Sequence, residues 1–177
     1  MNIIGEKTVL RAISLKDAPL LHEIINDKST ELMLGGKSAP VSLEAQERWI
    51  LNQTQNTEIL RYIITEKNGS DEGLGTVILS DISYQNGTAQ IHIKMGLSNC
   101  RRKGYGSDAL ISLCRYAFAE LRLNCIYAEV LEYNDASRRL FEKNGFKADG
   151  ILRQRVFKQG RFINVYSYSL LKEEMQL

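Results

Sequence analysis

The sequence predicts a mixed α/β fold of the α+β kind, and three observations carry that reading. Three β-rich segments follow one another between residues 61 and 95 with polar turns between them, so antiparallel pairing is expected. One long amphipathic helix then stands between two strands, the pattern of a strand-helix-strand unit. Two further β-rich runs close the chain around Lys158-Gln159-Gly160-Arg161. A chain of 177 residues has room for one well-filled core, and a single domain over 1–177 is expected.

Residues 8–13 read as a short strand. Ser14 and Asp17 then stand at the spacing of a capped helix start, and a helix to about Asn26 follows with Ala18, Leu21, Ile24 and Ile25 on one face. Residues 29–41 contain Gly35, Gly36 and Pro40 and read as irregular, while a second helix begins after Ser42 and carries Trp49 and Ile50. Strands are expected at 61–66, 74–82 and 89–95, the last two joined through the two-residue hairpin signal Asn86-Gly87. In the third of these, Ala89, Ile91, Ile93 and Met95 alternate with Gln90, His92 and Lys94, so one face is buried and the other polar. Residues 107–121 repeat apolar side chains at helical spacing, from Ala109 and Leu110 through Leu113, Cys114, Ala117 and Phe118 to Leu121. A strand at 125–132 and a short helix at 135–144, stopped by Gly145, precede the closing strand pair.

Charge and composition exclude several classes of function. A net charge of +2 from 23 basic and 21 acidic residues is too balanced for a surface built as a whole around nucleic acid, so no sequence-specific nucleic-acid partner is expected. No apolar run approaches the ~18 residues of a membrane span, and the N-terminus is charged by its sixth residue, which points to the cytoplasm and to no membrane partner. Cys100, Cys114 and Cys125 form no CxxC pair and lie at no close ligand spacing to His22 or His92, so neither a disulfide framework nor a metal is expected.

The chemically informative segment runs from Asn99 to Ser107. Gly104 and Gly106 let the backbone turn tightly and approach a ligand, and the first-turn N–H groups of the following helix suit an anion. Arg101, Arg102 and Lys103 adjoin them, so the segment fits a pyrophosphate better than a solvated basic turn. Gly104 to Ala109 also fits G-x-G-x-x-A, the nicotinamide-dinucleotide fingerprint. That motif wants a strand running directly into the first glycine of a parallel sheet, whereas here the polar stretch 98–103 intervenes.

Arg101-Arg-Lys-Gly104-Tyr-Gly106 resembles the pyrophosphate loop of the GNAT N-acetyltransferase superfamily, and a second family motif follows it in order. That motif is a strand, an Asn, a small polar residue and a helix ending in Glu-Lys-x-Gly-Phe, here from Ala128 through Asn134, Ser137 and Phe141 to Lys143, Gly145 and Phe146. Leu10-Arg-Ala, Gly150-Ile-Leu-Arg and the closing Val165-Tyr-Ser-Tyr-Ser-Leu-Leu are similar to the branch of ribosomal-protein N-terminal acetyltransferases, which also holds polyamine and amino-sugar acetylating enzymes.

The resemblance implies a mainly antiparallel, twisted sheet with helices on both faces and a split between the fourth and fifth strands, where acetyl-CoA enters. Carried over by position, Met95 and Leu97 would line the split and the amides of Arg102, Lys103, Gly104, Tyr105, Gly106 and Ser107, beside Arg101, would hold the pyrophosphate. Asn134 would reach the pantetheine arm, and Ser137 and Lys143 the nucleotide half. Acetyl transfer needs a neutral amine, and an alkylammonium with pKa ~10 must first lose a proton. Glu129 matches the family's catalytic Glu, and partial desolvation on an apolar strand would raise its pKa toward a useful range. Glu132 and Glu31 are lesser candidates, and His92 is a possible relay.

Phe141 stands where the family often places an acidic Tyr, which leaves Tyr133 or solvent to protonate the thiolate. The expected function is acetyl-CoA-dependent N-acetylation of a primary amine by direct attack in a ternary complex, without metal. The alternative is a catalytically silent acyl-CoA-binding module. The expected partner is an amine-bearing small molecule or a protein N-terminus, with Trp49, Tyr166 and Tyr168 as candidate pocket aromatics and a homodimer as an open option.

Overall fold

The computed structural model describes residues 1–35, 39–53, 59–96 and 103–175. Its strands are β1 (Ile3–Ile4), β2 (Thr8–Arg11), β3 (Leu60–Glu66), β4 (Gly73–Ser83), β5 (Thr88–Met95), β6 (Cys125–Leu131), β7 (Lys147–Lys158) and β8 (Arg161–Leu171). The helices are α1 (Ala18–Asn26), α2 (Lys28–Leu32), α3 (Leu43–Gln53), α4 (Tyr105–Ala119) and α5 (Asp135–Lys143). One open sheet takes the order β1-β2-β3-β4-β5-β6-β8-β7. Every neighbouring pair is antiparallel except β5 and β6, which the α4 crossover joins in parallel.

Burial explains how the helices are distributed. On one face Leu10, Ile64, Val77, Leu79, Ala89 and Ile91 pack with Ala109, Leu110, Leu113 and Phe118 of α4 and with Phe141 of α5. On the other, Ile63 meets Ala18 and Leu21 of α1 and Ile50 of α3. Neighbours in sequence, Ile63 and Ile64 thus serve opposite layers, as the two-residue strand period requires. The corner between β2 and α1 is fixed by charge. Both guanidinium Nη atoms of Arg11 donate to Asp17, at 2.7 and 2.8 Å, and its Nε donates to Asp71 at 2.7 Å.

Three sequence expectations are corrected. Residues 29–32, part of the stretch expected to be irregular, lie in α2 (Lys28–Leu32), because the Asp27 carboxylate caps it by accepting the Thr30 N–H at 2.7 Å and both the Ser29 and Thr30 hydroxyls at 2.6 Å. Those bonds hold Asp27 down at about 2. The hairpin at Asn86-Gly87 has a four-residue connection, since Ser83 pairs with Thr88 after Asp81 bulges at φ 50°. Helix α4 starts at Tyr105, two residues earlier than expected, on Gly104 at φ 86°.

Candidate active site

The site begins with a pairing that stops. Strands β5 and β6 pair only through Thr88–Cys125, Ala89–Ile126 and Gln90–Tyr127. Beyond that point β5 continues against β4 as far as Met95, and β6 continues against β8 as far as Leu131. The strands therefore diverge into an opening whose walls are the facing edges of 91–95 and 128–131. Continuing the register of the last pair, His92 stands level with Glu129 and Lys94 level with Leu131, all on the face away from α4. The edge groups of β5 lack ladder partners there among the described residues, so they can bind an extended ligand arm.

Helix α4 opens beside this split. A Cβ placed on Gly106 would sit 3.6 Å from the Met95 sulfur and 3.7 Å from Ile93 Cδ1, so the helix start rests directly on the end of β5. Gly104 needs its left-handed φ to launch the helix and keeps the first-turn N–H groups pointing outward. The carboxylate of Asp108 does not face that seat. It turns back and accepts the amides of Glu6, Lys7 and Thr8 at 2.9, 3.0 and 2.8 Å and the Thr8 hydroxyl at 2.6 Å. Burial works to raise this carboxyl, but the Thr8 hydroxyl and the three amides outweigh it and hold it below its usual value. The same turn carries Lys7, whose ammonium lies 3.4 Å from the Lys103 carbonyl and 3.1 Å from where a Gly104 Cβ would stand.

The residues expected to hold the cosubstrate fall into three groups. Leu97, Arg101 and Arg102 lie outside the described residues, as does Cys100. Met95, Lys103, Gly104, Tyr105, Gly106 and Ser107 come together at the end of β5 and the start of α4, with the Tyr105 hydroxyl donating to Glu66. Asn134, Ser137 and Lys143 lie on α5. Asn134 caps that helix by accepting the Ser137 N–H at 3.1 Å and donates to the Met33 carbonyl at 3.2 Å. Lys143 is exposed at the helix end, where Asn144 donates to the Ser107 hydroxyl at 3.1 Å and so ties α5 to α4. Lys7, Asp108 and Asn144 are the residues that sequence reasoning missed. Of these, Asp108 and Asn144 stood inside recognised motifs, each at a position the motif leaves open.

Glu129 projects from β6 opposite Ser167 of β8, and its side chain is exposed. It is exposed where partial burial was expected, because Ala128 and Val130 on either side of it take the core-facing positions of β6. Across the opening His92 is half-buried, with Nε2 2.8 Å from the Ser80 hydroxyl. Burial and then Lys94 lower the imidazole, Asp81 offsets this in part, and Arg61 lowers it further. Burial and Arg61 lower the Lys94 ammonium in the same way.

Other candidates are used structurally. Phe141 is 4 % exposed, 5.0 Å from the Phe146 ring and stacked 6.4 Å from the Tyr168 ring. Tyr168 is a core residue whose hydroxyl donates to Glu142 at 2.8 Å, and Tyr166 lies under Arg138 at 4.3 Å, so both face α5 and not an acceptor pocket. The Tyr133 hydroxyl donates to the Leu32 carbonyl at 2.6 Å, which spends its proton on holding α2. Glu31 is paired with Lys158 at the tip of the closing hairpin. No helix among the described residues is long and apolar enough to cross a membrane.

A sheet split beside a glycine-started helix is a place where a long anionic cosubstrate can thread between strands with its phosphates at the helix start. The chain belongs to the GNAT acetyltransferases, its residues 7–147 matching the Acetyltransferase (GNAT) domain family. It is 32% identical over 173 residues to the uncharacterized N-acetyltransferase p20 of Bacillus licheniformis, covering 96% of this chain and 95% of that protein. It is 23% identical over 171 residues to a spermidine N(1)-acetyltransferase of Vibrio cholerae, covering 97% and 96% of the two. The crystal structure of the Vibrio cholerae spermidine N-acetyltransferase with CoA and spermine superposes with a TM-score of 0.85 at 22% identity, over 96% of this chain and 98% of that one. The protein is an acetyl-CoA-dependent N-acetyltransferase.

Proposed function

We propose that the chain acetylates a small primary amine by direct attack in a ternary complex, with Glu129 receiving the ammonium proton. The observation that carries this reading is the position of Glu129, a carboxylate on the wall of the β5–β6 opening with a face that solvent and acceptor can reach. Acetyl-CoA supplies the thioester acyl carbon. The chain's own residues fit it: Gly104 and Gly106 present a helix start with no side chain in the way, and Lys7 and Lys103 place cations beside it.

In this reading Met95 lines the pantetheine channel, and Lys103, Gly104, Tyr105, Gly106 and Ser107 seat the pyrophosphate. Asn134, Ser137 and Lys143 flank it from α5, and Leu97, Arg101 and Arg102 complete the set. The outward edge of β5 polarises the thioester carbonyl with fixed backbone dipoles. Glu129 takes the proton directly or through one water. A small-amine acceptor is supported by the spermidine N-acetyltransferases among the relatives.

The test is a thiol-release assay with acetyl-CoA against short peptides, polyamines, amino sugars and small amino acids, run beside calorimetry with CoA. Release with a small amine and a measurable CoA affinity are expected. CoA binding with no release from any small amine would contradict the reading.

A further inference from the structure

The face of the opening away from α4 carries two cations, Arg61 and Lys94, beside His92, and the reaction as proposed does not use them. Arg61, Ile78 and His92 form one row across β3, β4 and β5, and Ile63, Thr76 and Lys94 form the next. Arg61, His92 and Lys94 share this face: burial lowers all three, Arg61 lowers Lys94 further, and Lys94 and Arg61 both disfavour the charged form of His92. Arg61 is held under Trp49 of α3, 5.5 Å from the ring, and donates to Gln53. Among the described residues neither Arg61 nor Lys94 has an acidic partner at ion-pair distance. Asp81 is the acidic group felt by His92, and Glu129 stands on the opposite wall.

Half-buried like charges that no described carboxylate pairs at ion-pair distance oppose folding, and an arriving anion relieves that opposition. The pyrophosphate seat at the start of α4 lies on the other face of β5, where Gly106 meets Ile93 and Met95, so the two anion-attracting regions are separated by the sheet. The cluster therefore belongs to the acceptor's side. We propose that the acceptor is a small primary amine that also carries an anionic group, its ammonium facing Glu129 and its anion seated by Lys94 and Arg61. This rests on the N-acetyltransferase reading above and adds the acceptor's charge. Lys94 is two residues along the strand from the level of Glu129, which sets the amine and the anion about 7 Å apart. An unmodified polyamine, positive at both ends, is disfavoured by the same charges.

The test uses three acceptors of one length: 5-aminopentanoate, 5-aminopentanamide and 1,5-diaminopentane. For the wild-type enzyme kcat/KM with the carboxylate is expected to exceed that with the amide, and that with the diamine, by about tenfold or more, as a charge-assisted contact provides. Lys94→Met is expected to remove the preference by raising KM for the carboxylate, with kcat for the amide and CoA affinity by calorimetry retained. Lys94→Glu is expected to shift preference toward the diamine. A wild-type preference for the diamine would overturn the proposal, as would an undiminished carboxylate preference in both Lys94→Met and Arg61→Met. Failure of all three acceptors while CoA still binds would instead remove the small-amine reading itself, and the proposal with it.

Discussion

The carboxylate of Asp108 accepts both the backbone N–H of Thr8, at 2.8 Å, and its hydroxyl, at 2.6 Å, joining residues 100 positions apart. The same carboxylate takes the amides of Glu6 and Lys7, so the first turn of α4 and the turn into β2 are one unit. Gly5 is part of it, since a Cβ there would stand 2.3 Å from Asp108 Oδ2 and 2.6 Å from the Ser112 hydroxyl. Removing the carboxylate leaves three backbone donors and a hydroxyl to find water. Asp108→Ala is expected to lower stability by about 3 kcal/mol, and to lower Tm by roughly 10 °C. It should also weaken CoA binding, because Lys7 loses its anchor. Thermal unfolding and CoA calorimetry check both effects.

Gly104 carries a separate prediction. Its φ of 86° is left-handed, and a Cβ would stand 3.1 Å from the Lys7 ammonium. Gly104→Ala should cost about 1–2 kcal/mol in backbone strain, and should weaken CoA through displacement of the helix start while leaving the distant Arg11–Asp17 corner intact. Calorimetry of the variant with CoA measures the loss.

Acid stability follows from Asp17, which is 3 % exposed. Burial works to raise its carboxyl, but hydrogen bonds and charge from Arg11 and the Ser14 amide leave it lowered from 3.8. A carboxyl that binds its proton less tightly when folded adds stability above the unfolded value, and that stability is lost as pH falls through the folded value. Unfolding free energy should therefore drop as pH falls below about 4. Asp17→Asn should flatten that limb and cost about 3 kcal/mol at neutral pH, since it leaves buried Arg11 without its bidentate partner. Urea unfolding across pH tests both parts.

The aromatic cluster around α5 gives a fourth expectation. Phe141 occupies a buried site against Phe146 and Tyr168, so Phe141→Ala should destabilise by about 3–5 kcal/mol through loss of burial and an unfilled cavity. Chemical unfolding of the variant measures it, and near-wild-type stability would show that α5 is not packed as described.

The strand-helix-strand centre was legible because its signals are local: the two-residue alternation of Ala89 to Met95 and the helical repeat from Ala109 to Phe118 need no distant partner. Gly104 and Gly106 marked the helix start, and with it the proposed anion seat, for the same reason. Helix α2 was not legible, because it buries no side chain and rests on the short-range cap from Asp27. Lys7 and Asp108 were hidden by the length of chain between them, and the meeting of Arg61 with His92 and Lys94 exists only through the register of three strands. How far solvent reaches Glu129 was not legible, because the apolar residues around it turn to the core on alternate positions only.

The most direct test of the account is the pH dependence of kcat/KM for Glu129→Gln, measured by thiol release from acetyl-CoA with an accepted amine, alongside CoA affinity. General-base catalysis contributes about 10²–10⁴-fold. The account predicts a loss of that order, disappearance of the acid limb of the profile, and unchanged CoA affinity. Activity and a pH profile equal to those of the wild type would contradict it.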